Sequence, residues 1–119
     1  MKFWTITTLI YMLLIIYLSH IPQEDIFKNI SGPDNFDLFL HFIEYSILGF
    51  LLFQSLDYDK VIGINSLYGG IIIGILFGIS DELHQSFVPG RHCSLMDVIF
   101  DSIGVLFGTS ISSRFPSFS

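Results

Sequence analysis

The densest run of chemically able side chains is Ser80-Asp81-Glu82-Leu83-His84-Gln85-Ser86-Phe87-Val88-Pro89-Gly90-Arg91-His92-Cys93-Ser94. A helix continuing past Ser80 puts Asp81, His84 and Gln85 on one face at i, i+3 and i+4, with Glu82 turned away toward Ser86. Pro89-Gly90 then breaks the helix and returns the chain. Arg91 follows the turn, and its planar fork suits a carboxylate or a phosphate. Imidazole is the group best matched to proton transfer near neutral pH, which makes His84 the candidate general acid/base. Asp81, Glu82 and Asp97 are the catalytic carboxylates that orient it or hold a divalent cation. An oxygen-rich ligand set suits Mg²⁺, Ca²⁺ or Mn²⁺. For His92 and Cys93 a solvated loop is the simpler reading.

Further ionisable groups sit inside apolar stretches, where they are costly and mark functional sites by default. Asp37, His41 and Glu44 are spaced i, i+4, i+7 and fall within about a 60° arc at 100° per residue. Leu48 continues that stripe and Tyr45 lies next to it. Asp37 reads more simply as the start of a helix; His41 and Glu44 lie too deep for that. Asp97 and Asp101 are one turn apart, with Gly104 close to the same face. Ser94-Leu95-Met96-Asp97 fits a capping box, which accounts for Ser94 and in part for Asp97. It does not account for Asp101, a turn deeper, which is placed to pair with His41 across a helix interface. Arg91, His41, Glu44, Tyr45, Gln85 and Ser94 form the candidate substrate-binding set.

These residues need elements to position them, and the composition says what kind. The chain has 119 residues, 51% hydrophobic, 16% aromatic and 13% charged, with a mean hydropathy of +0.66. Soluble domains carry about 25% charged residues. A chain this small and this apolar is neither a soluble domain nor disordered. Its net charge of −6 excludes a basic nucleic-acid binder and argues against docking on anionic lipid heads. A single cysteine, Cys93, leaves no internal disulfide.

Four apolar stretches are read as helices over about 3–19, 37–56, 61–80 and 95–112. Each is near the ~20 residues that cross a ~30 Å hydrocarbon core. None alternates in the way a barrel strand must. The fold class is therefore all-α, an integral membrane four-helix bundle forming one domain over 1–119. Tyr17 to Pro22 lacks a small-x-small cleavage site, so the first stretch is read as a retained span. Polar loops 19–37 and 80–94 fall on one side, and Asp57-Tyr58-Asp59-Lys60 forms a tight hairpin on the other. Gly70, Gly74 and Gly78, with Gly104 and Gly108, are spaced for close helix packing. That packing brings the polar stripes of the second and fourth helices together against the third. Lys2, Lys60 and Arg114 inside, against Lys28 and Arg91 outside, favour cytoplasmic N- and C-termini.

The pattern Ser80-Asp81-Glu82-x-His84-Gln85-x-Phe87-x-Pro89-Gly90-Arg91-x-x-Ser94-x-x-Asp97 resembles the signature of the VanZ-like membrane protein family. His41-Phe42-x-x-Tyr45-x-x-Leu48-Gly49 resembles its second-helix motif, Ser19 and Pro22 its first-loop motif, and Gly104 and Gly108 its last helix. The resemblance runs from about Ser19 to Gly108. Leu38 stands where the family commonly has lysine, and Asp101 where it commonly has asparagine, so this site is more acidic than the pattern. The resemblance implies a multi-pass protein of the cell membrane, and the family's namesake is linked to low-level resistance to the glycopeptide teicoplanin.

Three functions fit. One is an enzyme acting on a lipid-linked envelope substrate at the outer face, with Arg91 holding an anionic group and His84 moving a proton. The motif has neither the helical two-histidine spacing of a zinc protease nor a nucleophile elbow. The second is a non-catalytic binder of an amphipathic lipid or lipoglycopeptide. The third, a proton-coupled carrier using His41, Glu44 and Asp101, requires an oligomer, since the chain holds no inverted repeat. With both termini cytoplasmic, green fluorescent protein fused after Arg114 fluoresces and alkaline phosphatase fused at the same position is inactive; the opposite pair of results inverts the topology.

Overall fold

The computed structural model describes residues 2–19, 36–60, 62–88 and 95–115. They form four helices and, among the described residues, no strand: α1 Phe3–Ser19, α2 Phe36–Asp57, α3 Ser66–Gln85 and α4 Leu95–Ser113. Leu38–Asp57, Ser66–Gln85 and Leu95–Ser113 are long and apolar enough to cross a membrane, each with a mean hydropathy of 1.4. α1 is an apolar helix without a charged residue and is shorter, at 17 residues.

α1, α2 and α4 start and stop within a residue of the sequence reading. The third helix does not: it occupies Ser66–Gln85 rather than 61–80. Local chemistry sets its start. Lys60 adopts a left-handed φ of 52°, and Asn65 caps the helix by accepting the Tyr68 N–H at 2.9 Å. A side-chain acceptor at this position satisfies an otherwise orphan amide. The α2–α3 connection is therefore 58–65, longer than a four-residue hairpin. At the far end Glu82, Leu83 and Gln85 are good helix formers, so polar composition there does not end the helix. It ends with Ser86, whose N–H still reaches the Glu82 carbonyl. Asp81, Glu82 and Gln85 thus ride on a helix.

Packing is inverted relative to a soluble protein. Asp101 is 1% exposed while Leu13 is 65% exposed, as expected where the outer surface faces hydrocarbon and polar groups turn inward. The core of Ile15, Tyr45, Leu48, Leu52 and Val105 is small, and close backbone contact makes up for it. A Cβ on Gly104 would lie 2.5 Å from the Phe42 carbonyl oxygen, and one on Gly49 2.6 Å from that of Val105. One on Gly108 would overlap the Ser46 carbonyl outright. α2 and α4 therefore form the most extensive helix pair. On α3, Gly74 receives the Val105 side chain, and Gly78 faces the Tyr45 ring and Asp101.

Polar ties fasten the bundle. Gln54 donates to Ser112 at 2.9 Å and to the Phe115 carbonyl at 3.1 Å. Asp59, from the α2–α3 connection, accepts both the backbone N–H and the hydroxyl of Thr5, at 2.7 and 2.9 Å. A carboxylate at a helix N-terminus meets the positive end of the dipole. Thr8 donates to the Leu51 carbonyl and Tyr11 to that of Glu44. α1 thereby rests on α2 and barely meets α3.

Forcing a methyl into the α2–α4 contact overpacks it, at about 1–3 kcal/mol. Gly104→Ala and Gly108→Ala are expected to lower the melting temperature in detergent, whereas Gly63→Ala, with nothing within 4 Å, leaves it unchanged.

Candidate functional site

Three helices deliver polar side chains to one end of the bundle: His41 and Tyr45 from α2, Asp81, Glu82 and Gln85 from α3, Asp97 and Asp101 from α4. All are buried. His41 donates its Nδ1–H to Asp101 Oδ1 at 2.8 Å, and the same nitrogen lies 3.8 Å from Glu82 Oε1. Tyr45 donates to Asp81 Oδ2 at 3.2 Å. The Tyr45 ring meets Phe77 edge-on, with centroids 6.4 Å apart. One ring nitrogen of His41 and one oxygen each of Glu82 and Asp97 lie within 4.8 Å of one another. Those three residues are a donor set able to hold a metal ion.

The His41–Asp101 pair anticipated from spacing is present. Glu82 differs from the sequence reading. It faces inward, 2% exposed, alongside Asp81 and Gln85. The reason is the placement of the buried arc: at 100° per residue Asp81, Glu82 and Gln85 span about 100°, and α3 turns the middle of that arc to the core. His84 falls about 60° outside it and is exposed. It joins Met12, Ile16, Phe77, Ser80 and Asp81 around a cavity of about 370 Å³. Asp81 connects the two halves of the site, binding Tyr45 inside and lining the cavity outside.

Glu44 is half-buried, and its backbone carbonyl accepts the Tyr11 hydroxyl at 2.8 Å. Arg91 and Ser94, together with Pro89, Gly90, His92 and Cys93, lie outside the described residues, as do the loop positions Pro22 and Ser31 to Asp34 and the side chain of Asp37. Sequence reasoning missed the contribution of α1. Met12 and Ile16 carry no polar signal, and only the tertiary fold brings them to the cavity.

Residues 4–116 match the family model described as VanZ/LLP1, from the first turn of α1 to beyond the end of α4. Neither a curated protein nor a solved structure matches the chain.

Buried, hydrogen-bonded partners couple energetically, by 0.5–3 kcal/mol in favourable cases. A double-mutant cycle of His41→Ala and Asp101→Ala, read by denaturation in mixed micelles, is expected to give about 1 kcal/mol of coupling. Additive losses would mean that the pair is not an energetic unit.

Proposed function

The chain belongs to the VanZ/LLP1 family, and from that premise we propose that it is a cell-envelope membrane protein that takes a lipid-linked anionic substrate into the polar end of its bundle. The observation that carries this reading is the two-sided lining of the cavity between α1 and α3. Met12, Ile16 and Phe77 offer an apolar wall, and Ser80, Asp81 and His84 a polar one. A second cavity of about 320 Å³, lined by Thr5, Leu9, Met12, Leu52 and Ile73 among others, continues along α1, with Met12 bordering both. From Thr5 to Ile16 a helix rises about 17 Å, room for a long hydrocarbon tail with its head at the polar end.

In this reading the polar end faces outward, with both termini in the cytoplasm. Arg91 holds the anionic head by paired hydrogen bonds of the kind guanidinium makes to phosphate. His84 moves the proton, while Asp81, Glu82 and Asp97 orient it. Gln85, Ser94, His41, Glu44 and Tyr45 complete the head-group surroundings. The acyl tail of a lipoglycopeptide such as teicoplanin suits the same apolar wall, which links the cavity to the resistance associated with the family's namesake. The largely apolar run of the two cavities also supports a second reading, in which the protein binds such a ligand without transforming it.

The test uses purified protein in nanodiscs with a polyprenyl phosphate, scoring binding by native mass spectrometry and turnover by phosphate release. Met12→Trp, which closes the junction of the two cavities, and Arg91→Ala are each expected to weaken binding by tenfold or more. His84→Ala is expected to abolish turnover and leave binding intact; wild-type binding without turnover selects the second reading. If the wild-type protein does not bind the lipid phosphate, both readings fail.

A further inference from the structure

The geometry points to a divalent transition-metal site, of zinc type, held by His41, Glu82 and Asp97 inside the helix bundle. This site stands on its own observations, whether or not a lipid phosphate binds. Its three donors come from three helices, α2, α3 and α4, and all three residues are buried. Their ligand atoms lie within 4.8 Å of one another. Zinc binds imidazole nitrogen and carboxylate oxygen at about 2.0–2.2 Å. Two donors of a tetrahedral ion at that distance stand about 3.4 Å apart, so side-chain shifts on the order of an ångström close the set.

Two further observations concern the surroundings of the set. Asp101 accepts the Nδ1–H of His41 at 2.8 Å. Nδ1, the ring nitrogen 3.8 Å from Glu82 Oε1, is taken by Asp101, so coordination falls to Nε2, with Asp101 as the usual carboxylate support that fixes the tautomer and orientation of a metal-bound histidine. The remaining oxygen of Asp101, Oδ2, is buried and has no hydrogen-bond partner among the described residues. Gln85 Oε1, one turn beyond Glu82, is likewise buried without a partner there. A buried polar atom left unsatisfied is costly. Both oxygens call for a donor that the described residues do not supply, such as a water.

The donor types choose the ion. The sequence reading placed only carboxylates in the set and therefore favoured Mg²⁺, Ca²⁺ or Mn²⁺. The structure adds an imidazole, which moves the preference toward Zn²⁺ and its neighbours. Three protein ligands with a position open for water is the arrangement of a catalytic rather than a structural zinc site. A metal here also lets a site rich in carboxylates receive a phosphate, by bridging between the two.

The experiment is metal binding by the full chain in detergent, stripped with a chelator and then offered Zn²⁺ alone. Bound metal is counted by elemental analysis and affinity read by competition with a chromophoric chelator. One equivalent per chain and a raised melting temperature are expected. Glu82→Gln and Asp97→Asn are expected to weaken binding by more than about 100-fold. Asp101→Asn, acting through His41, is expected to cost about 10–100-fold, the range for a supporting residue. Asp57→Asn, at the other end of the bundle, leaves binding unchanged. Because amide variants alter shape little, the melting temperature of each metal-free variant separates lost binding from lost folding. Substoichiometric zinc in the wild type, equal affinity in Glu82→Gln, or Mg²⁺ binding as tightly as Zn²⁺ would overturn the assignment.

Discussion

Gly104 and Gly108 let α4 lie directly against the backbone of α2, and the polar end of the protein depends on that approach. His41 and Asp101 meet at 2.8 Å because no side chain holds the two helices apart. Gly78 does the same for α3, giving room to the Tyr45 ring and to Asp101. In hydrocarbon, apolar side chains gain little by packing on one another rather than on lipid. Close backbone contact and internal hydrogen bonds must therefore supply the cohesion. The glycines provide the first and permit the second.

The two ends of the bundle use polar groups differently. At one end Gln54, Ser112, Asp59 and Thr5 join helix to helix and helix to loop. Nothing in that set combines an imidazole with several carboxylates. At the other end His41, Asp81, Glu82, Asp97 and Asp101 are gathered, all of them buried. Buried oxygens without a hydrogen-bond partner among the described residues occur at both ends, Gln54 Oε1 and Asp59 Oδ1 at one and Gln85 Oε1 and Asp101 Oδ2 at the other; what sets the second end apart is an imidazole gathered among carboxylates.

How legible this was in the sequence depended on whether a feature was local. Apolar stretches of nearly spanning length disclosed the four helices, and the i, i+4 spacing of Asp97–Asp101 disclosed one inward face; the stripe read as Asp37, His41, Glu44 and Leu48 with Tyr45 beside it was off-centre, since His41, Tyr45 and Leu48 are buried and Glu44 is half-buried. The start of α3 was obscured because Val61 to Ile64 are nearly all apolar and look like helix, whereas Asn65 caps the chain only after them. Its end was obscured because Asp81 to Gln85 look like loop by polarity, although their propensities are helical. Glu82 was placed on the wrong side for want of a tertiary reference: spacing gives angles between residues and not which angle faces the core. The cavity along α1 was not read, although the buried Thr5 and Thr8 mark the inward face of that helix and Met12 and Ile16 continue it from Thr8 at steps of four.

The tie between Thr5 and Asp59 spans 54 positions of the chain. At about 5–20 residues per second, 54 residues take roughly 3–10 s to synthesise. α1 therefore waits that long before the carboxylate that caps it exists. Its contacts with Leu51 and Glu44 also come from α2, so an isolated α1 has none of the partners that seat it. α1 is held by segments made after it, and its insertion and its final seating are separate events in the biogenesis of the protein.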